Sequence, residues 1–209
     1  MEEYLTVFDG EKAEYVEKHS RFIANVFHIE TVEEANAVIE KMRSKYWDAK
    51  HNVYAYALRD GTQKLSDDKE PHGTAGKPVL DVITGNNLYD VMIVVTRYFG
   101  GVLLGTGGLV RAYQTSALNA VKSSPFVLMC QSREYSVVCE YSEHKRLLAA
   151  IEKYSGEISD TQFSDKIKIF FCVKTDLSTD FENELTEVFS GRITAKTENE
   201  KFSAYKFEK

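Results

Sequence analysis

Residues Val91–Val95 form an apolar run that leads directly into T-R-Y-F-G-G-V-L-L-G-T-G-G-L-V-R-A-Y, residues 96–113. A strand with no polar alternation has to be buried on both faces, so this chain needs a packing layer above it and another below. Five of the 12 glycines (Gly100, Gly101, Gly105, Gly107 and Gly108) fall in the segment that follows. Glycine loses the most conformational entropy on folding, so such a cluster implies turns with positive φ or close approach of backbone to a ligand. Arg97 and Arg111 bracket the cluster.

Around this segment the chain alternates strand and helix signals. Tyr4–Phe8 reads as a short edge strand turned by Gly10, and Lys12–Lys18 is a weaker alternation. Arg21–His28 predicts a strand with Phe22, Ala24 and Val26 on one face and Ile23 and Phe27 on the other. Thr31 and Glu34 have capping-box spacing, and Val32, Ala35, Val38, Ile39, Met42 and Tyr46 recur with helical period. His51–Leu58 predicts another strand. The polar stretch 59–76 has no core pattern and is expected to be one long loop, of a length that is usually functional or disordered. Pro78 suits a helix first turn and Gly85 a helix end, and after the glycine cluster helical spacing resumes at Leu109.

From Phe126 a strand runs to about Tyr141. Ser142 is placed as the cap of a helix ended by Gly156, and two strands, 158–163 and 167–173, follow. Thr179 and Glu182 form a second capping box, Gly191 closes that helix, and 193–197 and 202–207 are strand material. The order from about Arg133 is β-α-β-β-α-β, the ferredoxin-like arrangement, which places two domains at 1–132 and 133–209.

Bulk properties exclude several classes. The net charge is -6, shared as -3 by each half (14 basic against 17 acidic residues for 1–132, and 12 against 15 for 133–209). That argues against a general polyanion coat but not against a local basic patch. Cys130, Cys139 and Cys172 are odd in number with no C-x-x-C pair, which fits free buried thiols better than a disulfide or zinc scaffold. No apolar run approaches the ~20 residues of a membrane helix. The acidic start lacks a signal pattern, so a cytoplasmic protein is expected.

The glycine segment supports two readings. Backbone N–H groups leading into a helix N-terminus make an anion site, which Arg97 and Arg111 could reinforce. The other reading is a tight, closely packed strand–helix turn. Standard nucleotide fingerprints fail: no Lys lies between Arg97 and Arg111, and Val110 stands where G-x-G-x-x-G from Gly105 needs its last glycine. Asp67, Asp68 and Glu70 could ligate a hard cation, lie in solvent, or pair with Arg97 or Arg111. His51 and His72 have no partner at metal-ligand spacing, and no nucleophile elbow is present.

Three motifs, H-N-V-Y-A-Y from His51, S-D-D-K-E-P-H-G-T-A-G-K-P from Ser66 and V-T-R-Y-F-G-G-V-L-L-G-T-G-G-L-V-R-A-Y from Val95, together resemble the YigZ/IMPACT family over roughly residues 15–125. The resemblance implies an α+β protein. Its N-terminal domain would have the ribosomal protein S-five domain-two-like fold, and its C-terminal α/β-plait domain would resemble domain V of elongation factor G. It further implies a non-enzymatic, translation-linked role with RNA, the ribosome or a translation factor as partner; the eukaryotic relatives regulate translation. The binding residues it implies are Arg97, Tyr98, Gly100, Gly101, Gly105, Gly107, Gly108, Arg111, Lys77, His51, Asp67, Asp68 and Glu70. No catalytic residue, metal or cofactor follows from it. The competing expectation is an enzyme or small-molecule-binding protein with a phosphate pocket at the same segment.

Overall fold

A computed structural model describes residues 3–8, 10 and 12–207; Met1 and Glu2, which begin the acidic terminus, lie outside them. The chain divides into two compact units, Glu3–Leu128 together with the end of the chain, and Met129–Tyr205. Both are α+β, as the sequence implies.

The first unit is built on a five-stranded sheet. Its strands are β2 (Ala13–Glu17), β3 (Ser20–His28), β4 (His51–Ala57), β5 (Gln63–Ser66) and β6 (Val91–Tyr98), in the order β2-β3-β6-β4-β5. The apolar run is thus the central strand, antiparallel to both neighbours. Its two faces bury against different helices. Ile93 and Val95, with Phe22, Val53 and Ala55, pack into the core shared with α2 (Gly76–Gly85) and α3 (Gly105–Ser123). Met92 and Val94, with Ile23, Tyr54 and Tyr56, meet α1 (Val32–Lys45). That division follows the period-two side-chain alternation, so a one-residue slip would invert it. The short β1 (Glu3–Val7) precedes the sheet.

Several local expectations need correction. Stretch 59–76 is not one loop, because Gln63–Ser66 pairs with β4 as an edge strand. Its single apolar residue, Leu65, is too little pattern for a periodicity argument. At α1, Thr31 does accept from the Glu34 N–H (3.2 Å), but Glu34 reaches back to the N–H of Glu30 (2.6 Å) rather than of Thr31. Helix α3 begins at Gly105, four residues before the apolar spacing resumes, so three of the clustered glycines lie in its first turn.

The second unit has β7 (Phe126–Cys139), β8 (Glu157–Phe163), β9 (Ile167–Lys174) and β10 (Lys196–Lys206) in the order β10-β7-β9-β8. That is the 4-1-3-2 order of a ferredoxin-like sheet. Helices α4 (His144–Lys153) and α5 (Ser178–Phe189) cover one face through Leu147, Ile151, Phe181, Leu185 and Phe189, which pack on Tyr135, Ile169 and Phe171. Neither predicted cap survives: Glu143, not Ser142, precedes α4, and Thr179 lies inside α5, whose N-cap Leu177 offers no side-chain acceptor. Glu182 instead accepts from the Tyr135 hydroxyl (2.6 Å), tying helix to sheet. Among the described residues no helix is long and apolar enough to cross a membrane.

Candidate functional site

The sheet register assembles the site. His51 opens β4 directly opposite Arg97 near the end of β6, and Phe22 of β3 lies across Arg97 on the other side. All three belong to the face covered by α2 and α3. The apolar core of that face therefore ends in a pair of polar side chains. Arg97 is 5 % exposed and needs an acceptor, because a buried cation is tolerated only when paired and hydrogen-bonded.

The 66–75 turn supplies it. Glu70 Oε1 accepts from Arg97 Nη1 at 2.6 Å and from the Tyr113 hydroxyl of α3 at 2.8 Å. Ser20 Oγ accepts from Arg97 Nη2 at 3.3 Å, and the guanidinium stands over the Phe22 and Phe99 rings. Arg97 Nε is buried with no acceptor among the described residues. Burial beside the Glu70 carboxylate pushes the Tyr113 hydroxyl far above the ordinary tyrosine range, so it acts as a fixed donor.

The other two acidic residues of this turn are also engaged. Asp67 Oδ1 accepts from the backbone N–H groups of Ala75 (3.1 Å) and Gly76 (2.8 Å), and Oδ2 from that of Gly73 (2.8 Å). It caps the start of α2 from outside the helix. Burial raises the pKa of Asp67, but the hydrogen bonds from Gly73, Gly76 and Ala75 outweigh it and hold the group below its ordinary value. Asp68 Oδ2 accepts from the Asn52 N–H at 2.6 Å, and its carbonyl binds His51 Nδ1 at 2.8 Å. A carbonyl can only accept, so Nδ1 carries a proton and the ring turns Nε2 toward Glu70. That nitrogen lies 3.8 Å from Glu70 Oε1. Of the three carboxylates only Glu70 pairs with Arg97, whereas Asp67 and Asp68 accept from backbone N–H groups; together they tie β4, α2 and β6 to this turn.

A cavity of about 450 Å³ opens beside this network. Its polar lining is Lys50, His51, Glu70, Arg97 and the α3 start at Gly105 and Thr106; its apolar lining is Pro71, Phe99, Leu103, Leu104 and Leu109. Helix α3 has no side-chain cap and no acidic residue in its first turn, so its leading N–H groups stay free of a competing carboxylate. Gly100 is required by close packing, since a Cβ there would collide with the backbone of His19 and Ser20 in the β2–β3 turn. Gly101 and Gly105 take positive φ, at 85° and 70°, where a side chain would be strained. Leu103 is 83 % exposed at the rim, and the Lys50 ammonium sits 5.6 Å from the Phe99 ring centre.

Not every residue implied by the motifs reaches this cavity. Lys77 pairs with Asp81 one turn along α2 (2.7 Å), and Arg111 is exposed on α3; neither lines it. Tyr98 donates to Asp48 (2.7 Å), with Arg21 over its ring. His72 is fully exposed. Sequence reasoning passed over Lys50, Phe99, Leu103, Leu104, Thr106 and Leu109. A signal for three of them was present: Phe99, Leu103 and Leu104 are large apolar residues set among glycines, where no core pattern accounts for them.

Comparison with known proteins agrees with the motifs. The Impact N-terminal domain model matches residues 18–121, and a domain of unknown function, DUF1949, matches 137–192. An IMPACT family member of Haemophilus influenzae is 36 % identical over 197 residues, covering 92 % of this chain and 96 % of that protein. The chain belongs to the IMPACT family. The family member YigZ of Escherichia coli is 33 % identical over 84 % of this chain and 88 % of its own length. Protein IMPACT of Rattus norvegicus is 32 % identical over 44 % of this chain and 31 % of its own. A solved structure described as a hypothetical protein aligns with a TM-score of 0.63 and 30 % identity, over 95 % of this chain and 98 % of that one. The Glu70–Arg97–Tyr113 network lies within the residues that the Impact N-terminal domain model matches.

Proposed function

We propose that the N-terminal unit is a non-catalytic recognition module that takes a nucleotide of single-stranded RNA, free or within the ribosome, into the cavity at the glycine segment. The observation that carries this reading is the mixed lining of that cavity. Phe99 and Leu103 stand at its rim as exposed apolar surface, next to the Lys50 cation and the uncapped start of α3. Single-stranded RNA is recognised through this combination: bases stack on aromatic and apolar side chains while cations and helix N-termini take phosphate. The translation-linked role that family membership implies is consistent with such a partner. The net charge of -6 does not decide the matter locally, because Asp67, Asp68 and Glu70 are each held in hydrogen bonds.

The test is fluorescence anisotropy of labelled single-stranded RNA against the full chain, from about 50 mM salt upward. Binding that weakens with salt, and that Phe99→Ala and Lys50→Ala each reduce without loss of fold, is the expected result. No binding near ~50 mM salt would refute the reading. The second reading, a free phosphate-bearing metabolite in the same cavity, is favoured by its size, which lies in the range of small-molecule sites. A ligand at about 100 times its dissociation constant would stabilise the chain by about 2.7 kcal/mol in a thermal-shift screen.

A further inference from the structure

Resting on the reading of the cavity as a site for single-stranded RNA, we infer that the strand continues from it onto Trp47, which stacks a neighbouring base, and over the basic end of α1. Trp47 is the chain's single tryptophan and is 82 % exposed. A side chain that open adds little to the core, so folding does not account for its size. Of the large apolar side chains exposed in the described first unit (Val16, Trp47, Phe99, Val102 and Leu103), all but Val16 lie in two segments, 46–50 and 99–103. The two segments meet. The Tyr98 hydroxyl donates to Asp48 Oδ1 at 2.7 Å, which ties the turn after α1 to the end of β6. The Ala49 N–H closes that turn on the Tyr46 carbonyl at 3.0 Å. Lys50 then sets its ammonium 5.6 Å from the Phe99 ring centre, at the cavity. From Lys50 back to Trp47 is at most about 11 Å of chain.

Charge identifies the occupant. Residues 40–50 carry Lys41, Arg43, Lys45 and Lys50 against Glu40 and Asp48, a local excess of cations in a chain whose net charge is -6. Asp48 is already bonded to Tyr98. Lys41 and Lys45 stand one turn apart on an exposed row of α1, whose end leads into the turn that carries Trp47. A helix C-terminus by itself repels anions, so these side chains are what draws phosphate to this end of α1. A single-stranded nucleotide offers a flat apolar base and a charged phosphate, and an exposed indole beside lysines meets both at once. An acidic peptide would use the cations but bring no flat partner for the indole. Lys50, against the Phe99 ring and close along the chain to Trp47, is the cation for the phosphate that links the two stacked nucleotides. Stacking on a ring accepts any base, so the extension adds affinity without sequence preference.

The experiment is titration of the full chain with a short single-stranded oligouridylate from about 50 mM salt upward, read by anisotropy of the labelled RNA and by tryptophan fluorescence, which reports Trp47 alone. Saturable quenching of that fluorescence is expected, with the midpoint found by anisotropy. Trp47→Ala should weaken binding about 10- to 100-fold, the range of one lost base stack, whereas Trp47→Phe, which keeps a ring, should retain most of the affinity. The position is exposed, so neither variant should disturb the fold. Replacing Lys41 and Lys45 together by Ala should lower the slope of log affinity against log salt by about 1.4, the effect of two lost phosphate contacts on a single strand. RNA binding that Trp47→Ala leaves unchanged overturns the extension and leaves the cavity reading standing. Binding that needs Trp47 but not Phe99 supports the stacking surface and overturns the cavity as the strand's anchor. Absence of RNA binding near ~50 mM salt overturns both. Phosphatidylserine vesicles are titrated in parallel, and a fluorescence change with them but none with RNA overturns RNA as the occupant in favour of a lipid surface.

Discussion

Removing the Glu70 carboxylate is the sharpest test of how this site is held together. Glu70→Ala leaves the Arg97 guanidinium, 5 % exposed and formerly 2.6 Å from its partner, as an unpaired cation in the interior. Removing one member of a buried ion pair costs about 3–5 kcal/mol, because the survivor keeps its desolvation penalty and loses the compensating attraction. The Tyr113 hydroxyl also loses its acceptor, but within the same network, so its cost does not simply add. Total domain stabilities are about 5–15 kcal/mol, so this single change takes a large share. The assay is urea unfolding of the full chain for wild type, Glu70→Ala, Arg97→Ala and the double variant, with amide hydrogen exchange of β4 and β6 reporting the first unit. Each single variant is expected to lose about 3–5 kcal/mol, with the double variant losing clearly less than their sum. A Glu70→Ala cost under about 1 kcal/mol, or strict additivity in the double variant, would refute the claim that these two groups form one desolvated unit.

Two further outcomes follow from the same frame. Gly100→Ala is expected to cost about 3 kcal/mol, the upper part of the overpacking range, because its Cβ meets backbone that cannot step aside, whereas Gly101→Ala, which has open space and only a φ of 85° to pay, should cost about 1–2 kcal/mol by the same melt. The Asp67 carboxyl is held below its ordinary value, so it contributes stability above the unfolded Asp pKa of about 3.9 and loses it as pH falls through the folded value. Asp67→Ala should therefore cost about 1–2 kcal/mol at pH 7, and its gap to wild type should close below about pH 4 in acid titrations of stability; a gap constant from pH 7 to 3 would contradict the capping role.

How far the site could be read in advance differs residue by residue. Arg97 and Glu70 stood out as an arginine ending a buried strand and a carboxylate in a polar turn. Their pairing was one of several options until the register placed His51 opposite Arg97 and the turn folded back over both. Lys77 carries the same kind of motif signal, yet it faces Asp81 on the far side of a helical turn. A motif records that a residue matters to the family's chain, not which surface it faces. Gln63–Ser66 was missed because an edge strand buries little and so needs little pattern.

The sequence by itself determined the layers. A strand apolar at every position demands cover on both faces, and period-two and period-3.6 spacings named the side chains that provide it, because burial is written into local periodicity. It also located the glycine segment, since positive φ and backbone collision leave few other residues possible there. Only the tertiary structure decided what the polar residues do. A carboxylate at position 70 can face solvent, a metal or an arginine, and the choice depends on which group lies within hydrogen-bond reach after strands separated by tens of residues are paired. The cavity likewise exists only where β4, β6, the 66–75 turn and the start of α3 meet, and no window of sequence contains all four.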